Sequence, residues 1–454
     1  MSSIKQVIEG GFCVGCGNCA YLLNHAMKVN EYGEYIPDID LNSIELESEQ
    51  ITKSCPSLHP EINENFIAKS IYGKKYTHDN EIGYFKNMYA AHVNENSYRE
   101  KGSSGGIGTW ILVELLKKKM VDGVIHVKKT LNKKNNPAFY EYAISKDISA
   151  IKDGSQSRYH VVEMSNILKL LEKDEGKFVF VGVPCMCKSL RRMQMIDERL
   201  NKKIPFVISL ICGHLKSINW SLSLGWGAGI SPNNLKSIDY RTKSKNINPR
   251  SYVFKATDTL DKNIFKDSKK ITGGRFNAGA MMLPACNYCD DVVGETSDLT
   301  IGDAWLPKFI NETRGKNLLI TRSEVLDDII NNANDNGQIF IEKIKLEDAK
   351  YAQRGCLRQR NEGLKLRLSI LDKKKFWAPI KRVDYRNLKM NILRKIIYLT
   401  RYKITEVSRI SFYNAIKENN YNHYSKKLRI LTVKLRFFEL LSLLITKLMF
   451  NFKK

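Results

Sequence analysis

The run Cys13-Val14-Gly15-Cys16-Gly17-Asn18-Cys19, answered by Cys55-Pro56, constrains this chain more than any other stretch. Three cysteines at C-x2-C-x2-C put three thiolates on one tight loop, and Gly15 and Gly17 let its backbone fold closely over an inorganic core. That is iron–sulfur spacing. A bacterial ferredoxin run continues x3-C-P, but Ala20-Tyr21-Leu22-Leu23 follows here, so Cys55, with Pro56 behind it, is the natural fourth ligand. A structural zinc site and a disulfide framework are the alternatives. Zinc motifs usually come as separated C-x2-C pairs, so the pattern favours a 4Fe-4S cluster.

A second set emerges from the strand pattern. Phe178–Val183 and Phe206–Ile211 are continuous apolar runs, as expected of strands buried on both faces of a parallel sheet. The first ends at Pro184-Cys185 and the second at Cys212-Gly213-His214, with a basic helical stretch from Lys188 to Arg199 between them. Both cysteines then fall just past the carboxyl ends of neighbouring strands, where open α/β sheets hold ligands. Cys286-Asn287-Tyr288-Cys289 supplies two more thiolates, followed by a strand ending at Gly302-Asp303. Cys185, Cys212, Cys286 and Cys289 make a second complete set; a zinc knuckle closed by Cys185 and Cys187 is the alternative. Cys187 and Cys356 are left over, and in an extended segment Cys187 would point away from Cys185.

Gly102-Ser103-Ser104-Gly105-Gly106-Ile107-Gly108 leads into a helix starting near Trp110 and ending in Lys117-Lys118-Lys119. Such a loop offers bare backbone N–H groups to a phosphate, and it also arises as a plain helix start. His160, Asp303, His214 and Arg158 are the polar residues near these features, each equally readable as a loop or capping residue. No Ser/His/Asp order, paired catalytic carboxylates or Walker loop is present.

Ten cysteines in 454 residues, behind an N-terminus without an apolar run, imply a reducing cytoplasm and metal ligation rather than disulfides. The net charge is +25, yet residues 364–454 alone carry 23 Lys and Arg against 5 Asp and Glu, so the excess belongs to the C-terminal part. There, basic residues alternate with Leu, Ile and aromatics at helical intervals. Two readings fit: a basic amphipathic helix on anionic lipid, peripheral to the inner face of the membrane, or a helical pair packed on the body with a solvated basic face. The longest uncharged apolar run, 440–446, is too short to span a bilayer. Nucleic acid is not an expected partner, since no recognised binding fold accompanies the charge.

Taken together, these motifs resemble the coenzyme F420 hydrogenase/dehydrogenase beta-subunit family of iron–sulfur flavoproteins over roughly residues 8–325. The resemblance rests on both cysteine sets, on Ser103-Ser104-Gly105-Gly106, on Gly154-Ser155-Gln156-Ser157-Arg158-Tyr159, and on Gly182-Val183-Pro184-Cys185 and Ile238-Asp239-Tyr240-Arg241. It implies FAD in a cleft beside one 4Fe-4S cluster, with the N-terminal cluster as relay. Ser103, Ser104, Gly105 and Gly106 are then expected at the flavin phosphates and Ser155, Arg158 and Tyr159 in the cleft. From their positions beside these features, and not from the resemblance, His160 or Asp303 is expected as proton donor to substrate. Met186 stands where the family usually has glutamine, and the C-terminal part lies outside the family domains.

The expected architecture is α/β (α+β). It comprises a ferredoxin-like 4Fe-4S module over 1–60, an α/β flavin-binding domain with a mostly parallel sheet over 61–360, and a basic helical extension over 361–454. The expected function is an oxidoreductase passing electrons between a reduced ferredoxin or deazaflavin carrier and a small organic acceptor. The alternatives are a non-catalytic electron-transfer subunit feeding a partner enzyme, in surface polysaccharide biosynthesis as in bacterial members of this kind, and a zinc-stabilised scaffold.

Overall fold

The computed structural model describes residues 3–73, 75–131, 137–242 and 253–451. At its centre is an eight-stranded sheet. In chain order its strands are β1 (Asn87–Val93), β2 (Gly123–Lys129), β3 (Tyr140–Ser145), β4 (Phe178–Gly182), β5 (Phe206–Leu210), β6 (Leu299–Asp303), β7 (Asn317–Thr321) and β8 (Ile339–Lys343). They lie in the order β8-β1-β7-β6-β5-β4-β2-β3. The four central strands β2, β4, β5 and β6 are mutually parallel, with Val124 opposite Val179, Val181 opposite Ile208 and Thr300 opposite Ser209. The flanks run antiparallel, so the sheet is mixed. Short connections such as 304–316 between β6 and β7 can only reverse the chain, whereas parallel neighbours need a longer crossover.

Alternation along the parallel strands feeds two cores. Val124, Val179, Ile208 and Leu299 meet Trp110, Ile111 and Leu115 of α1 (Ile107–Lys117) on one face. Ile125, Phe178, Phe180 and Val207 meet Met186, Leu190 and Met193 of α2 (Pro184–Ile196) on the other. Each such fully buried side chain contributes roughly 1.5–3 kcal/mol, which is why the strands read as unbroken apolar runs. Because α2 begins two residues after β4, Cys185 and Cys187 stand on a helix and not in an extended segment; a separation of about 200° still turns Cys187 away, its thiol reaching the Ile208 carbonyl at 3.7 Å.

The C-terminal part is built into this body. α3 (Leu346–Arg358) continues through one π-helical turn, Gln359–Gly363, into α4 (Leu364–Lys373), so the boundary expected at residue 361 falls inside a continuous helix. α5 (Ile392–Lys417) and α6 (Tyr421–Asn451) form an antiparallel pair. Ile404 and Phe412 of α5 and Tyr424, Leu428 and Leu435 of α6 join the α2-side core. The helical pair expected of this stretch is therefore packed on the body through one face of each helix. The N-terminal 60 residues are anchored likewise: Ile4, Val7, Phe12, Ile51 and Leu58 pack against Tyr288 and against Leu364 and Leu368 of α4.

Candidate metal centres

The first four cysteines converge on one cavity, which Val7, Val14, Asn18 and Pro56 also line. Gly15 (φ 70°) and Gly17 (φ 90°) take left-handed backbone conformations. Any Cβ at 17 would come within 2.8 Å of a Glu163 carboxylate oxygen, so the loop can seat against the 163–165 segment only with glycine there. Its amides turn inward toward sulfur: Gly15 N–H to Cys13 Sγ at 3.4 Å, Asn18 N–H to Cys16, Ala20 N–H to Cys19, and Ser57 and Leu58 N–H to Cys55. Such donors stabilise a thiolate. Burial nevertheless raises all four thiols, Cys16 to about 11, so they become thiolates only when a cation compensates.

Arg192 of α2 fastens the Cys55 loop. Its guanidinium, 1% exposed, donates to the carbonyls of Lys53 (3.0 Å), Cys55, Leu58 (2.8 Å), His59 (2.9 Å) and Ile62 (2.6 Å). The same helix carries Cys185 in its first turn, so α2 serves both cysteine sets.

The second set lines a cavity together with Val14, Pro184, Leu215, Asp291 and Arg360. Cys185 opens α2, Cys212 follows β5, and Cys286 and Cys289 belong to the short turn Pro284–Tyr288 and its end. Leu215 N–H donates to Cys286 Sγ at 3.3 Å. Asp291 shapes the loop that follows this turn by accepting from the amides of Val293, Gly294 and Glu295. Three arginines of the C-terminal part hold it from outside. Arg360 donates to the carbonyls of Cys286 and Gly213, Arg367 to that of Asn287 at 2.6 Å, and Arg382 to Asp290 and, at 2.8 Å twice, to Glu295. Arg360 Nε is buried in the wall with no partner, and burial raises the four thiols here too.

Among the described residues no group of three or more His, Cys, Asp or Glu side chains stands close enough to grip a single metal ion. What each set shares is a cavity. Four soft sulfurs, inward-facing amides and, in the second, an unsatisfied buried N–H suit a multi-atom anionic iron–sulfide core. Val14 lines both cavities, and Cys185 lies within electrostatic reach of Cys16. Cys356 also sits beside the second set: a Cβ on Gly213 would be 3.4 Å from its sulfur.

The residues expected around a flavin come together in part. Ser157 N–H donates to Ser103 Oγ at 2.7 Å, joining the two segments, and Ser103, Ser155, Arg158 and Tyr159 are half-buried. Gln156 is left-handed (φ 87°), an uncommon conformation for a non-glycine residue. Arg158 pairs with Asp239 at 2.9 Å and bonds the Ser155 carbonyl at 3.0 Å, while its buried Nε has no hydrogen-bond partner. Tyr159 packs on Phe276, ring centres 4.6 Å apart. Gly105 has a packing reason of its own, since a Cβ there would stand 2.6 Å from the Ala91 carbonyl; Ser104 Oγ bonds the Lys316 carbonyl, and Gly106 (φ 87°) starts α1.

His160 is buried with both ring nitrogens engaged, Nδ1 to the Val161 carbonyl and Nε2 to the Phe139 amide. Asp303 closes β6 in an ion pair with Arg241 at 2.9 Å, and His214 stacks on Phe276. Sequence reasoning missed Arg192, Arg360, Arg367, Arg382 and the double role of Val14. The arginines were hidden among many basic residues and carry no motif.

Fold and site together define a mixed α/β protein with two cavities, each lined by four cysteines, that have Val14 in common. The chain belongs to the coenzyme F420 hydrogenase/dehydrogenase beta-subunit family: the family's N-terminal model matches residues 88–169 and its C-terminal model residues 175–347. Cys13, Cys16, Cys19, Cys55 and Arg360 lie outside both spans. A chain from the F420-reducing [NiFe] hydrogenase complex of Methanosarcina barkeri is similar at 17% identity and a TM-score of 0.49, over 66% of this chain and 96% of that one. Comparison with curated proteins finds no match.

Proposed function

We propose that this protein is an iron–sulfur flavoprotein oxidoreductase passing electrons between a reduced carrier, a ferredoxin or a deazaflavin, and a small organic acceptor. Cys13, Cys16, Cys19 and Cys55 would hold one 4Fe-4S cluster, Cys185, Cys212, Cys286 and Cys289 a second, and Ser103–Gly106 with Ser155, Arg158 and Tyr159 an FAD. Iron–sulfur clusters supply one-electron steps and a flavin joins these to two-electron chemistry. The single observation carrying the proposal is that each set of four cysteines lines its own cavity and that Val14 lines both, which sets the two sets side by side.

The chain's own residues do the rest. Arg192 and Arg360 pin the two ligand loops and place a buried cation behind each cavity. The apolar walls, Val7 and Val14 on one side and Leu215 and Leu283 on the other, exclude water. His160 and Asp303, already bonded to Val161, Phe139 and Arg241, act in this proposal by holding the cleft rather than by giving up a proton.

Anaerobic purification of the full chain, with iron, sulfide and flavin analysis and an absorption spectrum, tests the proposal. About eight irons, eight sulfides and one FAD per chain are expected. Zinc with no sulfide and no colour refutes it, and iron without flavin reduces the protein to an electron carrier.

A further inference from the structure

The outer face of α6 is the part of the molecule that neither the cysteine cavities nor the cleft explain. Tyr424, Leu428 and Leu435 turn inward and are fully buried. On the opposite side Ile430, Val433, Phe437, Leu440, Leu444 and Leu448 recur at three- and four-residue intervals, all exposed, Ile430 by 73%, Phe437 by 60% and Leu444 by 58%. At 1.5 Å per residue this ridge is about 27 Å long. Lys427 and Lys434 flank it on one side and Arg429 and Arg436 on the other, all solvent-exposed. The helix's one acidic residue, Glu439, is turned inward into ion pairs with Arg275 and Arg401, each at 2.8 Å.

We infer that α6 is a docking surface for an anionic lipid bilayer, lying in the plane of the interface with its ridge among the acyl chains and its two basic rails at the headgroups. An apolar ridge between rows of Lys and Arg matches that boundary, because long basic side chains reach up to phosphates while their stems cover apolar surface. A second copy of the chain is disfavoured by charge. Ridge against ridge would set Lys434 and Arg436 of one copy beside Lys and Arg of the other, with no exposed carboxylate on the helix to compensate. An acidic partner helix is disfavoured by shape: over the last turns Leu443 and Ile445 are exposed as well, widening the apolar surface beyond a two-helix seam. Crossing the bilayer is not implied, as no helix among the described residues is long and apolar enough.

Co-flotation of the full chain with vesicles tests this. The protein is expected to float with phosphatidylcholine vesicles containing phosphatidylglycerol and to remain behind with phosphatidylcholine alone, and raised salt should release it. Each basic residue near such a surface is worth about fivefold in partitioning, so Lys434→Glu with Arg436→Glu should weaken binding at least about 25-fold. Phe437→Asp should abolish it. All three positions are exposed, and an unchanged melting curve and visible spectrum confirm that the variants fold. Absence of flotation with the anionic vesicles overturns the inference. So does equal binding to both vesicle types, binding that the variants leave unchanged, or a solution dimer that Phe437→Asp dissociates in a protein that ignores lipid.

Discussion

Cys286→Ala puts the grouping of the second four thiols to a quantitative test. Alanine deletes the sulfur and leaves one amide, Leu215 N–H, facing the cavity without its acceptor. That costs about 1–3 kcal/mol, against the 5–15 kcal/mol by which a typical domain is stable, so the chain still folds. Arg360 continues to hold the backbone carbonyl of residue 286, which keeps the change local. Two sets of four cysteines predict about eight irons in the parent protein, and losing one set leaves about four, with sulfide falling in step. Cys185→Ala, Cys212→Ala and Cys289→Ala should each give the same half-loss, and Cys13→Ala should remove the other half. Cys187→Ala should keep all the iron, because its thiol faces the Ile208 carbonyl. Colorimetric iron and sulfide per chain, measured anaerobically, is the assay. Full retention of iron in Cys286→Ala would refute the grouping, and complete loss would refute the independence of the two cavities. A half-loss in Cys356→Ala together with retention in Cys212→Ala would exchange the ligand for its neighbour.

Three further outcomes are expected. Arg192→Met strands five carbonyls around the Cys55 loop and should destabilise the protein by at least about 3 kcal/mol in urea titration, at about 1–3 kcal/mol for each acceptor that finds no new donor, with loss of the first set's iron; a change below about 1 kcal/mol would contradict the role given to this side chain. His126, buried against Ser145 and beside Lys128, has its pKa pushed down to about 4 from 6.5, first by burial. The unfolded chain therefore binds the extra proton first as pH falls, and stability drops by about 3 kcal/mol between pH 6.5 and 4 and no further below; His126→Gln, which keeps a partner for Ser145, should flatten that slope. Arg158→Leu should lower the FAD released on denaturation well below one per chain while iron stays at about eight, and undiminished flavin would remove Arg158 from the binding cleft.

Both cysteine sets were legible in the residues themselves. The spacing of Cys13, Cys16 and Cys19 and the pair Cys286 and Cys289 are local patterns, and so are the apolar runs that became β4 and β5, since a buried strand and a tight ligand loop each declare themselves within a few residues. The strand-end positions of Cys185 and Cys212 followed from those runs. The tertiary fold alone decided how the sets were walled. Val14 proved to line both cavities, Arg382 reached the Cys286 turn from what read as a basic extension and Arg360 from the last residue before it, and α5 and α6 joined the core, a placement that their sequence left open. The antiparallel flanks of the sheet and the engaged nitrogens of His160 were likewise invisible beforehand. The reason is physical: backbone geometry and periodicity act over one turn or one hairpin, whereas a buried cation finds its carbonyls, and a helix its groove, only after distant segments have condensed around a common core.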